Sequence, residues 1–101
     1  MPSSAVVRRA ACLRIHGTRC RVCDLDLAEL YGPEARGLIE VHHLVPLAEV
    51  GKKYTVDPVR DLVPLCPNCH RVAHFGGPGK HRSLNEVRAM LAGNKDEPDG
   101  P

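Results

Sequence analysis

Histidine and cysteine, the side chains that most often bind metal ions, are concentrated in a few segments of this chain. The first holds two adjacent histidines, His42 and His43. The second, at 66–74, combines a Cys-x-x-Cys pair with two further histidines, and another Cys-x-x-Cys pair lies at 20–23. Thiolates favour closed structural zinc sites, whereas imidazoles favour sites that keep a position open for chemistry. The pattern therefore predicts two different metal sites.

Four cysteines predict the structural zinc site. Each pair has the spacing of a tight turn that presents two thiolates, and together they complete a tetrahedral shell: Cys20, Cys23, Cys66 and Cys69. The 42 residues between the pairs are more than a simple zinc ribbon has there, so they are expected to form a structure of their own whose two ends are joined by the zinc ion. The alternative is that the pairs are buried thiols, which is how we interpret the fifth cysteine, Cys12.

The histidines predict an open metal site. His70 and His74 are four residues apart, so on a helix both imidazoles lie on one face. His42 is expected on a strand packed against that helix, which would bring three neutral imidazoles to one divalent ion. Either histidine cluster alone could equally consist of surface residues that bind no metal. The neighbouring cysteine pair favours ligation.

Length and composition predict one small domain. The chain has 101 residues, 3% aromatic side chains and no tryptophan, so large apolar anchors are scarce and a metal staple is expected. We expect the domain at 5–92, with flexible ends at 1–4 and 93–101.

The N-terminal segment contains no signal-peptide core, because Arg8, Arg9 and Arg14 interrupt its apolar stretch. A cytoplasmic protein with no membrane partner is expected, and in that compartment paired cysteines favour zinc over disulfides. The net charge of +2 and pI near 8.4 suit a nucleic acid partner without requiring one.

Apolar periodicity and turn residues predict the order helix, knuckle, strand, strand, knuckle, helix, helix. The expected elements are a helix at 5–16, a helical turn at 24–31, strands at 38–45 and 61–65, a helix after Cys69, and a last helix from a capping box at 83–86 to about Ala92. Pro64 predicts that the second strand lies at an edge, and 46–58 is expected to be an exposed loop.

The run Glu40-x-His42-His43, followed by the segment 61–70 with its Cys-x-x-Cys-His ending, resembles the HNH endonucleases. More narrowly, it resembles HNH domains of the McrA type, and the resemblance covers 19–74. It implies an α+β fold: a small zinc-stapled ββα-metal (HNH, His-Me finger) domain with flanking helices.

The resemblance also implies a role for each matching residue. His43 would be the general base, and Glu40 would orient a neighbouring side chain. A catalytic divalent ion (Mg²⁺, Mn²⁺, Ni²⁺ or Zn²⁺) would be bound by His42, His70 and His74. Asp61 departs from the usual Asn. If Asp61 lies near His43, its charge would favour the imidazolium, which cannot accept a proton.

The implied reaction is hydrolysis of DNA phosphodiester bonds. Basic side chains that could contact the DNA backbone are Arg19, Arg21, Lys52, Lys53 and Arg71. Target recognition would come from a separate domain or subunit. The alternative is a non-catalytic zinc-stapled DNA-binding or adaptor domain, which would have no use for a base beside a metal ligand. A redox Cys-x-x-Cys protein is disfavoured because the two pairs match one zinc site.

Overall fold

The computed structural model describes residues 4–45, 55–76 and 81–96. Its elements, in chain order, are α1 (Ser4–His16), α2 (Leu27–Tyr31), a 3-10 helix (Pro33–Leu38), β1 (Glu40–His43), β2 (Leu62–Leu65), α3 (Pro67–His74) and α4 (Leu84–Asp96). Two antiparallel strands followed directly by a helix form the expected ββα unit, and the predicted α+β class is confirmed.

The register of β1 against β2 determines where each backbone group points. The strands are antiparallel, with His43 opposite Leu62, and the Leu44 amide continues the ladder by donating to the Asp61 carbonyl at 2.8 Å. In such a pair, alternate residues exchange hydrogen bonds, and the residues between them direct their backbone groups to the outer edges. His43 therefore presents its carbonyl to the outer edge of β1.

Pro64 lies at one of these outward positions on β2, opposite Val41. Its missing N–H consequently removes no bond between the strands. Its carbonyl accepts the amide of Arg21 at 2.9 Å, which joins β2 to the first cysteine turn. In the described part of the chain the sheet has only these two strands, so the expected edge position is confirmed.

All four residues of β2 are buried, which makes this strand the centre of the fold. One face contributes Val63 and Leu65 to a core completed by Cys20, Cys66, Cys69, Ala73 and Val87. The first helix, α1, also packs against β2 and buries Cys12 completely. Cys12 is thus a core residue, as the sequence predicted.

Three of the four cysteines predicted to bind zinc lie in this core, and the half-buried Cys23 packs against it. The four sulfur atoms are all within 4.8 Å of one another. The Sγ atoms of Cys23 and Cys66 are 3.7 Å apart. Burial acts to raise the pKa of Cys20, but hydrogen bonds from the backbone of Cys23, Cys66 and Val22 outweigh it and lower the pKa to about 7. Burial, reinforced by the neighbouring cysteines, raises the pKa of Cys23 to about 11 and also raises that of Cys69. The closeness of the four sulfur atoms is what fits a four-sulfur zinc site, in which the ion binds the thiolate form.

Several elements begin elsewhere than expected, among them α2, which begins at Leu27 rather than at 24. The 3-10 helix at Pro33–Leu38 was not predicted, and it delays the start of β1 to Glu40. The helix α3 begins at Pro67 rather than after Cys69, because proline suits a first helical position where no N–H is needed. The sulfur of Cys66 caps this helix by accepting the Cys69 amide at 3.4 Å.

The capping box predicted for the last helix is confirmed. The Ser83 hydroxyl accepts the Glu86 amide at 3.1 Å, and the Glu86 carboxylate accepts the Ser83 amide at 2.9 Å. The helix runs on to Asp96, beyond the expected end near Ala92. No helix in the described ranges is both long and apolar enough to cross a membrane. Most of the expected loop at 46–58 lies outside the described residues.

Replacing Cys66 with Ser should abolish zinc binding and cooperative folding. Structural zinc contributes about 10–16 kcal/mol in small peptides, whereas a whole domain is stable by only about 5–15 kcal/mol. Zinc content and thermal unfolding measure both effects. Cys12→Ala is the matched control: it should keep one zinc per chain and lose about 1 kcal/mol through packing alone. A Cys66→Ser protein with equimolar zinc and the wild-type melting curve would contradict the zinc staple.

Candidate active site

Four imidazole rings meet where β1, α3 and the segment before α4 come together. His42 is on β1, His70 and His74 are on α3, and His81 precedes the capping box. Ring centroids are 5.0–5.3 Å apart in five pairs. His42 and His74 each contact the other three rings, so they form the middle of the cluster. His42 is only 1% exposed and forms its floor.

The structure brings together the three histidines that the sequence singled out and adds a fourth. His70 and His74 lie one turn apart on α3, with centroids 5.0 Å apart, as their spacing predicted. The imidazoles whose ligand atoms all lie within 4.8 Å of one another, however, are those of His42, His74 and His81. The sequence prediction did not include His81. A Gly- and Pro-rich segment, 76–79, separates it from α3, so only its residue type could have indicated a metal ligand.

Oxygen acceptors orient the two outer rings. The Nδ1 of His70 is 2.7 Å from a Glu40 carboxylate oxygen, and the Nε2 of His81 is 3.2 Å from the His43 carbonyl. A carboxylate and a carbonyl only accept hydrogen bonds, so these two nitrogens carry the protons. In the neutral rings the lone pairs are then on the opposite nitrogens, Nε2 of His70 and Nδ1 of His81. This arrangement is typical of metal-binding histidines.

The donor set fits a divalent transition ion. Within the described residues, the Nδ1 of His42 is buried without a hydrogen-bond partner, and ligation would satisfy such an atom. Zinc–nitrogen distances of about 2.0–2.1 Å and tetrahedral angles put the centroids of coordinated imidazoles roughly 5 Å apart, as observed here. Burial, reinforced by the surrounding imidazoles, lowers the pKa of His42 to about 3, so this ring is neutral and able to bind a cation.

His43 points away from the four-ring cluster, because successive strand residues face opposite sides. It lines a groove of about 430 Å³ together with Arg8 from α1 and with Glu40 and His70. His70 therefore borders both the groove and the imidazole cluster. Burial and then the positive charge of Arg8 lower the pKa of His43. A neutral imidazole at this position can accept a proton at pH 7.

Asp61 acts on His43 in the direction expected from the sequence, but more weakly than its neighbours. Its carboxylate raises the pKa of His43, yet burial and Arg8 outweigh it, and the net shift is downward. The Asp61 carboxylate also accepts the Asp57 amide at 2.8 Å and thereby closes the turn that leads into β2. The concern that aspartate here would keep His43 protonated is not supported.

The basic residues proposed from the sequence have different surroundings. Arg19 forms ion pairs with Glu29 and Asp24, and Arg21 donates to the His16 ring at 3.1 Å. Lys52 and Lys53 lie outside the described residues.

Two arginines border the histidines. Arg71 lines a second opening of about 430 Å³ together with His74. Arg8, which the sequence prediction omitted, is half-buried in the His43 groove, and within the described ranges its guanidinium forms no hydrogen bond or ion pair.

The surroundings of His43 predict the direction of two pKa changes. Arg8→Gln removes a positive charge that disfavours the imidazolium, so the pKa of His43 should rise. Asp61→Asn removes a negative charge, so that pKa should fall further below its wild-type value. Histidine-edited ¹H–¹⁵N NMR across a pH series, with only the structural zinc present, measures both shifts. A wild-type pKa above the ordinary value of about 6.5 would contradict this account.

Comparisons with known proteins agree with this arrangement. The family model described as HNH endonuclease matches residues 20–76, a range that contains both cysteine pairs and the ββα unit. The Type IV methyl-directed restriction enzyme EcoKMcrA of Escherichia coli (strain K12) is 36% identical over 72 residues, which cover 71% of this chain and 22% of that protein. No solved structure gives a significant match. With more than half of its length matched by the family model, the chain belongs to the HNH endonuclease family.

Proposed function

We propose that this chain is a metal-dependent endonuclease domain that hydrolyses DNA phosphodiester bonds, with His43 as the general base. The observation that carries the proposal is the shared groove. His43, Arg8 and His70 all line it, and the ring of His70 contacts the buried His42. A base, a cation and the edge of a metal site thus face the same space, which is what attack of water on a phosphate requires.

The adaptor alternative is less consistent with two buried nitrogens. Within the described residues, Nδ1 of His42 and Nε2 of His43 have no hydrogen-bond partner. Leaving a buried polar atom unpaired costs about 1–3 kcal/mol, so a purely structural domain would gain stability from apolar residues there. Unpaired polar atoms that persist in a native structure are more often explained by a bound ion or by catalysis.

His42, His70 and His74 would bind the divalent ion, and Glu40 would orient His70 through the bond to its Nδ1. When bound, such an ion supplies charge stabilisation for the phosphate and the departing oxygen. His43 takes the proton from the attacking water, and its lowered pKa keeps the imidazole in the neutral form for this step. The guanidinium of Arg8 is free to contact a phosphate oxygen in the groove.

Target recognition is proposed to lie outside this domain. The Escherichia coli relative is described as methyl-directed, but the chain spans only 22% of its length. Phosphate contacts position a nucleic acid without reading its sequence. Arg8 and Arg71, on the two sides of His70, would position the DNA backbone, and a separate domain or subunit would select the target.

Replacing His43 with Ala should lower the rate of plasmid nicking by about 10²–10⁴-fold, the usual contribution of a general base. Zinc content and thermal stability should stay close to wild type. Excess EDTA should abolish nicking by the wild-type protein. His16→Gln is the control, because this histidine binds the Pro58 carbonyl and Arg21, outside the site. Equal nicking rates for His43→Ala and wild type would show that the base is another residue.

Arg8→Gln should reduce kcat/KM for a DNA substrate by at least about tenfold, because a charge-assisted hydrogen bond is worth about 1.5–3 kcal/mol. Arg19→Gln removes the same charge from an exposed ion pair and should change kcat/KM by less than about threefold. Rates should be compared at pH 8, where His43 is neutral in both variants. Equal losses in the two variants would mean that only net charge matters.

A further inference from the structure

We propose that His81 is a further ligand of the divalent ion in the imidazole cluster, an inference that rests on the metal site of the proposed function. His81 lies beyond the range 20–76 matched by the family model, so the family resemblance assigns it no role. Its ligand atom nevertheless lies within 4.8 Å of those of His42 and His74.

Arg82 holds His81 in position. Its backbone amide donates to the Ala73 carbonyl at 2.8 Å, and its guanidinium donates to the carbonyls of Val72 and Phe75 at the end of α3. Carbonyls in the last turn of a helix have no partner within the helix, so an arginine here satisfies groups that would otherwise need water. These three bonds dock the segment before α4 onto the turn that carries His74. A histidine at 81 is thereby placed against the cluster.

The outer edge of β1 sets the orientation of His81. His43 directs its carbonyl to that edge, because Leu44 takes part in the ladder with β2. The Nε2–H of His81 donates to this carbonyl, and its ring lies nearly parallel to that of His42, with an interplanar angle of 13° and a centroid distance of 5.0 Å. The lone pair on Nδ1 is left for ligation, so His81 has a fixed tautomer and a fixed ring plane.

The position of His81 complements that of His70. Both rings contact His42 and His74, and each donates its other N–H to an oxygen supplied by β1. Four imidazoles would leave no open position on a four-coordinate ion, whereas an ion that accepts six ligands would keep two. His81 would thus bias the site toward six-coordinate ions for catalysis.

Metal affinity tests the proposal without relying on cleavage. Ni²⁺ is titrated calorimetrically into protein that retains its structural zinc. His81→Gln should raise the Kd for Ni²⁺ by about 10–100-fold, since glutamine can still donate to the His43 carbonyl but offers no imidazole lone pair. His74→Gln should raise it similarly. His16→Gln, which removes a histidine elsewhere, should leave the Kd within about twofold of wild type.

A wild-type measurement makes the test independent of how the variants fold. Long-range ¹H–¹⁵N spectra should show His81 as the Nε2–H tautomer, with its Nδ1 resonance shifting when a second equivalent of Zn²⁺ is added. If His74→Gln weakens Ni²⁺ binding while His81→Gln does not, and the Nδ1 of His81 does not shift, the role of His81 is overturned and the proposed function stands. If neither variant weakens binding, the metal site of the proposed function fails as well.

Discussion

The meeting of four cysteine sulfurs in the core is the constraint on which the rest of the structure depends. It joins the turn at 20–23 to the first turn of α3, whose cap is itself the sulfur of Cys66. Around it the described apolar residues are aliphatic rather than aromatic. The chain has a single phenylalanine, which is 67% exposed. Without the sulfur contacts, little would hold the start of α3 against β2. Two of the four imidazoles would then lose their position.

The pairing of two four-residue strands divides the chemistry between two faces. Because successive side chains alternate, His42 turns toward α3 and His43 toward α1. On the α3 side His42 is buried, and burial together with the surrounding imidazoles keeps its ring neutral. On the α1 side His43 faces a groove, where burial and then the charge of Arg8 lower its pKa. Adjacent residues thus lie in different environments because the strand turns them to opposite faces.

Features set within a few residues could be predicted from the sequence. Local spacing predicted three features that the structure contains: the Cys-x-x-Cys turns, the alignment of His70 with His74, and the capping box of Ser83 with Glu86. The 3-10 helix at Pro33–Leu38 was missed, because the strand signal around 38–45 extended over its end.

Arg8 and His81 could not be found in this way, because distant contacts set their positions. Arg8 reaches the groove only when α1 packs on the sheet, and His81 reaches the cluster only through the bonds of Arg82 to the end of α3. Arg19 shows the same limit. Its ion pairs with Glu29 and Asp24 on the surface could not be predicted from the sequence, and its contact with DNA stays a prediction.

The short strand β1 contributes to the site through its backbone as well as through its side chains. Glu40 and His42 share one face, so the carboxylate of Glu40 orients His70 beside the ring of His42. The carbonyl of His43 orients His81 from the strand edge, while its side chain lines the groove on the other face. A one-residue slip of β1 against β2 would exchange these faces and remove that carbonyl from the edge. The register between two short strands therefore determines the geometry of the whole site, and the core that contains the cysteines packs against β2 in that register.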